Sequence, residues 1–161
     1  MTTDTKIALI TGGSRGLGRN TAVHLAGKGI DSVLTYQSNR EAAEAAVREV
    51  EAAGGKAVAL QLDTSDVPAF AAFVEKLIAT LKDNWGRETL HFLVNNAGTG
   101  LHKPFAETSE AEFDALMNVH VKGVYFLTQA LLPVIEDGGR IGSPIRGGFE
   151  SVETRCAVWC S

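Results

Sequence analysis

Cysteine is nearly absent from this sequence: Cys156 and Cys160 are the only two among 161 residues, and both fall in the last six positions. A disulfide framework is excluded as the basis of the fold, and reduced thiols are expected. With no histidine pair beside them the two thiols do not read as a zinc site, and no metal is expected. Positive charge is not in excess either, since fifteen Lys and Arg stand against nineteen Asp and Glu for a formal net charge of -4. That balance lacks the footprint of nucleic-acid or anionic-membrane binding, so any phosphate has to be met by local geometry. No apolar run has the length of a transmembrane span, and residues 1–6 (MTTDTK) are too polar for a signal peptide. A soluble, cytoplasmic protein with a single α/β core is the expectation.

What the sequence does contain is a regular alternation of apolar runs and helical stripes. Residues 6–11 (KIALIT) form a short run of the kind buried on both faces of a parallel sheet. From Gly16 the period becomes helical, with Leu17, Ala22, Leu25 and Ala26 on one stripe and Gly29 as a stop. Residues 32–36 supply a second strand. Ser38 is placed as the N-cap of a helix that turns Ala43, Ala46, Val47 and Val50 inward, and Gly54-Gly55 ends it. A third strand over 56–63 leads to Phe70, Phe73, Val74, Leu77, Ile78 and Leu81, the clearest helical spacing in the chain. Residues 90–94 give a fourth strand. The turn Asn95-Asn96-Ala97-Gly98 and a loop to about Thr108 come next. A long helix then starts near Ser109, with Phe113, Leu116, Met117, Val124, Leu127, Leu131 and Val134 on its stripe, Gly123 a weak point and Pro133 near its end. Such alternation predicts right-handed βαβ crossovers and a Rossmann-type, doubly wound parallel sheet.

The pattern fails towards the carboxyl end. A fifth strand is expected to begin at Gly138-Gly139-Arg140-Ile141, yet residues 142–148 bring a proline and glycines that argue against a central strand. The chain is therefore divided into an incomplete dinucleotide-binding domain, 1–141, cut after four to five strands, and a divergent, irregular tail, 142–161. A change of reading frame or splicing after Ile141 would account for the tail. It would also strip the fourth strand of its outer neighbours.

The most informative segment is Thr11-Gly12-Gly13-Ser14-Arg15-Gly16-Leu17-Gly18, between the first strand and the first helix. Exposed amides and the helix dipole favour an anion there, and glycine lets a pyrophosphate approach the backbone. At Thr11, Gly12, Gly16 and Gly18 the segment resembles the Thr-Gly-x-x-x-Gly-x-Gly motif of the short-chain dehydrogenase/reductase family. The resemblance continues through Asn95-Asn96-Ala97-Gly98 and covers roughly residues 5–141, with a flavour similar to the 3-oxoacyl-carrier-protein reductases. It implies a nicotinamide dinucleotide held by Thr11, Gly12, Ser14, Arg15, Gly16, Leu17, Gly18, Tyr36, Asp63, Asn95, Ala97 and Gly98, with Asp63 at the adenine and Asn118 in the place of the family's active-site Asn. It also implies hydride transfer to or from a small carbonyl or alcohol substrate.

Charge addresses the choice of dinucleotide. A carboxylate about twenty residues past the glycines would repel a 2′-phosphate. Tyr36-Gln37-Ser38-Asn39-Arg40 holds no acid, while Arg15 and Arg40 can pair with a phosphate, so NADP(H) is expected over NAD(H). The family's proton-handling Tyr-x-x-x-Lys is not found: the only tyrosines are Tyr36 and Tyr125, Gln129 stands four residues after the second, and the last lysine is Lys122. Losing a general acid costs roughly 10²- to 10⁴-fold in rate, so little or no turnover is expected. Ser143 lies near the place of the family's catalytic serine but is left unassigned because the strand pattern around it is broken. Among the histidines, His24, His91 and His120 read as packing or surface residues, and only His102, in the loop, draws notice. The acidic run 41–51 has the spacing of a solvated helix face. Two further readings stay open: a dinucleotide-binding module without chemistry, and an interaction fragment that pairs with itself or a complete homologue through its long helix.

Overall fold

The computed structural model describes residues 5–143 and, for the backbone, 148–151. The strand β1 (Lys6–Ile10) lies at the centre of the sheet, and every residue from Ile7 to Ile10 is fully buried. Alternation sends Ile7 and Leu9 into one core and Ala8 and Ile10 into the other, so helices must cover both faces. The crossover α1 (Gly16–Ala26) leads to β2 (Ile30–Tyr36), and α2 (Arg40–Ala52) to β3 (Ala57–Gln61). The helix α3 (Phe70–Trp85) then returns the chain to β4 (Leu90–Val94) on the far side of β1. The small faces of α1 and α2, through Ala22, Ala26, Ala46 and Val50, pack on Ala8, Ile10 and Leu34. Bulkier side chains from α3, Phe70, Phe73, Leu77 and Leu81, fill the opposite face beneath Ile7 and Leu9.

Beyond β4 lie α4 (Glu110–Met117), a π-helical segment at Asn118–Gly123, α5 (Val124–Leu131), the strand β5 (Ile135–Ser143) and β6 (Gly148–Ser151). The sheet order is β3-β2-β1-β4-β5-β6, with the first five strands parallel and β6 antiparallel to β5. This is the expected Rossmann-type doubly wound sheet.

Several local expectations are corrected. Leu17 is 69 % exposed rather than on the buried stripe of α1. The cap of α2 is Asn39, not Ser38, its side-chain oxygen accepting the Ala42 amide at 2.9 Å. The long helix is interrupted: Ser109 caps α4 with a reciprocal bond to Glu112, but the π segment adds a residue to the turn and rotates the helix beyond it. Before it Phe113 is 55 % exposed and Met117 is also exposed, whereas beyond it Leu127 and Leu131 are buried. Nor is the fourth strand bare, because β5 pairs along it and takes up the glycines as a bulge between the Leu90–Ile135 and Phe92–Arg140 pairs. Gly138, at φ 80°, makes that bulge possible. The expected boundary at residue 141 falls inside β5, and 148–151 form a strand within the stretch read as irregular. Cys156 and Cys160 lie outside the described residues.

Candidate functional site

The chain leaves β1 towards β2 and β3 on one side and resumes at β4 on the other, so a crevice opens at the carboxyl ends of β1 and β4. Both walls are built by hydrogen bonds that the local sequence supplies. The Thr11 hydroxyl accepts the backbone amides of Asn96 at 3.0 Å and Ala97 at 2.9 Å. Asn96 answers by donating from Nδ2 to the carbonyls of Thr11 at 3.0 Å and Gly12 at 3.1 Å. Asn95 is anchored separately: its amide donates to the Gly142 carbonyl at 2.8 Å, and its Nδ2 donates to the Thr128 hydroxyl at 3.3 Å. The glycine turn is tied to β2 by Thr35, whose hydroxyl accepts the Gly12 amide at 3.1 Å and whose carbonyl accepts that of Gly13 at 2.9 Å.

Glycine is required at two of these positions. Gly12 has φ 63°, and a Cβ there would lie 2.9 Å from the Ala97 Cα. A Cβ on Gly18 would meet Asn96 Nδ2 and stand 2.6 Å from the Gly12 carbonyl oxygen. The head of α1 is left open, because its N-cap Arg15 makes no side-chain capping bond and its first turn carries no acid. Uncapped amides at a positive helix end, beside a turn that only glycine fits, suit a diphosphate. Arg15 and Leu17 are both exposed at this helix end.

Further along the sheet ends, Asp63 follows β3. Its carboxyl is held below the usual carboxylate range chiefly by the Ser65 hydroxyl at 2.6 Å, then by the Ser65 amide at 2.9 Å, with a weaker contribution from the Gln37 side-chain amide at 3.0 Å. Asp63 is thus a fixed anion and acceptor. Tyr36 closes β2 with Gln37 next to it; residues 36–40 bring no acid of their own, and the carboxylate that reaches this end is Asp63, through Gln37. Arg40 is not idle: it donates to Glu44 at 2.7 Å, and that bond raises its pKa. A cleft of about 440 Å³ adjoins Asp63, lined by Gln37, Gln61, Leu62, Phe73 and Lys76 among others.

The structure brings together Thr11, Gly12, Gly18, Asn95 and Ala97 as one wall-and-turn unit, with Ser14, Arg15, Gly16 and Leu17 at its helix end. Tyr36 and Asp63 lie at the neighbouring strand ends. Asn118 opens the π segment, and its side chain makes no hydrogen bond among the described residues. His120, read from the sequence as a packing or surface residue, reaches Thr99 just past the turn after β4. Ser143 ends β5 and donates to the Asn95 carbonyl at 3.3 Å, so it borders the same turn. Thr35 and Thr128 were also missed, since a lone threonine gives no sign that its partner is a distant backbone amide or an Asn side chain. Among the described residues no cluster of His, Cys, Asp and Glu is arranged to hold a metal, and no helix is long and apolar enough to cross a membrane.

Comparison with known proteins agrees with this geometry. The short chain dehydrogenase family profile matches residues 6–143. Among curated relatives, the hydroxynaphthalene reductase-like protein Arp2 of Metarhizium brunneum is 34 % identical over 136 residues, covering 84 % of this chain and 49 % of that protein. The chain thus spans about half the length of the curated relatives it matches. Among solved structures, the angucycline C-6 ketoreductase LanV, determined with bound NADP, superposes with a TM-score of 0.81 at 34 % identity, over 86 % of this chain and 54 % of that one. A short-chain dehydrogenase from Burkholderia cenocepacia in complex with NADP gives 0.74 at 38 % identity, with the same coverage of 86 % and 54 %. On the match over residues 6–143 and the shared fold, the chain belongs to the short-chain dehydrogenase/reductase family of oxidoreductases.

Proposed function

We propose that these residues form the dinucleotide-holding half of a short-chain reductase, binding NADP(H) in preference to NAD(H) and turning over little or no carbonyl or alcohol substrate without further residues. The observation that carries this reading is the Thr11–Ala97 junction, which holds the glycine turn against the end of β4 beside the uncapped head of α1. Thr11, Gly12, Ser14, Gly16 and Gly18 shape the diphosphate seat, Leu17 offers an apolar surface, and Asn95, Ala97 and Gly98 form the facing wall. Tyr36 and Asp63 take the adenosine end, and a bound dinucleotide supplies hydride-transfer chemistry. Preference for NADP(H) is supported by exposed Arg15, by Gln37 in place of an acid after β2, and by relatives solved with NADP. Arg40 joins only by leaving Glu44. Asn118 keeps its proposed place as the family's active-site Asn. Weak turnover is expected from the lack of a Tyr-x-x-x-Lys pair in the 161 residues, because a phenol near pKa ~10 needs a cation beside it to exchange protons at neutral pH.

A second reading, pairing with another copy or with a complete homologue, is favoured by the exposed side chains Phe113, Met117, Tyr125 and Phe126 along α4 and α5. Titration with NADPH and NADH, beside an NADPH oxidation assay on a panel of ketones and aldehydes, tests the first reading. Tighter NADPH binding without oxidation is expected; tighter NADH binding, absence of binding, or steady turnover overturns it. Sedimentation of the chain alone, and mixed with a complete homologue, tests the second.

A further inference from the structure

The segment 98–102 leaves the wall of the crevice directly after Ala97 and is exposed over most of its length. Among the described residues, a single side chain hydrogen-bonds to it: His120, from the π segment between α4 and α5. Its Nε2 lies 2.6 Å from the Thr99 carbonyl oxygen and 3.2 Å from the Thr99 amide nitrogen. A separation of 2.6 Å between nitrogen and oxygen needs a proton between them, so Nε2 donates to the carbonyl and cannot at the same time accept the amide. The ring also lies over Gly98, where a Cβ would stand 2.9 Å from Cε1. A π turn is a common device for aiming a side chain at a functional site, and here it brings the imidazole to bear on the segment that continues the wall.

We propose that His120 is the positioning residue of the crevice wall: by clasping Thr99 it fixes the strap 98–102 and, through the adjoining Ala97, sets how tightly the nicotinamide dinucleotide is held. This rests on the dinucleotide-binding reading above. Ala97 is fixed from the other side by Thr11, so the wall is pinned at two nearby points, and His120 supplies the outer one. Without it, Gly98, Thr99 and Gly100 have no hydrogen bond to the rest of the fold among the described residues, and two glycines in three positions leave the strap little stiffness of its own.

The test compares the wild-type chain with His120→Ala and His120→Gln, the glutamine placing an amide donor near the position of Nε2. Two readouts are taken: amide hydrogen exchange in peptides covering 98–104, and NADPH affinity by fluorescence titration. In His120→Ala, exchange at 98–104 is expected to quicken while that of β1 and β4 holds, and NADPH affinity is expected to fall about tenfold; His120→Gln is expected to recover most of both. Unchanged exchange in His120→Ala overturns the clasp. Quickened exchange with wild-type NADPH affinity overturns its link to binding, and a glutamine no better than alanine overturns the hydrogen bond as the cause. A wild-type chain that takes up no NADPH overturns the proposed function and the link to binding together, while the exchange comparison still decides the clasp.

Discussion

The hydroxyl of Thr11, at the carboxyl end of β1, accepts the amide of Ala97, past the end of β4, at 2.9 Å. The same oxygen accepts Asn96, so one buried side chain satisfies two backbone donors of a turn eighty-five residues away in sequence. Thr11→Val keeps the shape and removes the acceptor, leaving both amides unpaired. A loss of about 2 kcal/mol is expected in urea unfolding, with Thr11→Ser close to wild type. A valine variant within experimental error of wild type would show that water replaces the hydroxyl at no cost.

Gly12→Ala combines an unfavourable φ of 63° with a Cβ 2.9 Å from the Ala97 Cα. About 1–3 kcal/mol of stability should be lost, and the crevice should be forced apart at the diphosphate seat. NADPH affinity should fall by at least about tenfold in a calorimetric titration, more than the stability change alone explains at temperatures where the variant is folded.

The two arginines are expected to behave differently. Arg15 has no acidic partner among the described residues, whereas Arg40 is engaged by Glu44. Arg15→Ala should weaken NADPH by roughly tenfold and leave NADH nearly unchanged, in keeping with the loss of one charge-assisted contact to a 2′-phosphate. Arg40→Ala should have a smaller effect on NADPH. Equal losses for both dinucleotides in Arg15→Ala would place that side chain at the diphosphate instead.

At the opposite end of the sheet, Glu136 of β5 accepts the Thr89 hydroxyl at 2.6 Å, pairs with Arg87, and lies 3.3 Å from His91 Nε2. The Thr89 bond, then Arg87 and His91, hold its carboxyl below the ordinary range despite partial burial. A carboxyl with a depressed folded pKa contributes stability in full above its unfolded value and loses it as pH falls through the folded one. Glu136→Gln should therefore cost about 2 kcal/mol at neutral pH. That deficit should begin to narrow below pH ~4.3 and vanish beneath the lower folded value. A deficit independent of pH would mean that shape, not charge, is what Glu136 supplies.

Legibility in the sequence tracked the range of the interactions. The strand over 90–94 could be read to its last residue because five apolar or aromatic-like positions between turn formers admit one assignment, and α3 starts at Phe70 as its spacing predicts. Its far end was set by a different signal: Gly86 in the left-handed region closes the helix four residues after Lys82. The long helix was misread in phase because a π turn obeys no side-chain period. It is accommodated only because Gly123 has no Cβ to meet the Thr64 carbonyl, a contact between distant segments. His120 was passed over for the same reason: its partner, Thr99, lies across a loop, and nothing around either residue marks the pair. The glycine turn was legible since backbone geometry there demands glycine and writes it into the sequence.

The antiparallel pairing of β6 with β5 has a bearing on any effort to combine this chain with a segment of a longer relative. A donor polypeptide carrying further strands of a relative could extend the sheet at this edge only through the backbone of Arg140, Ile141, Gly142 and Ser143, which is already paired with residues 148–151. Simple mixing would thus begin with a competition, in which the resident β6 holds the advantage of belonging to the same chain as its acceptor. Shortening this chain at residue 143 would remove the incumbent.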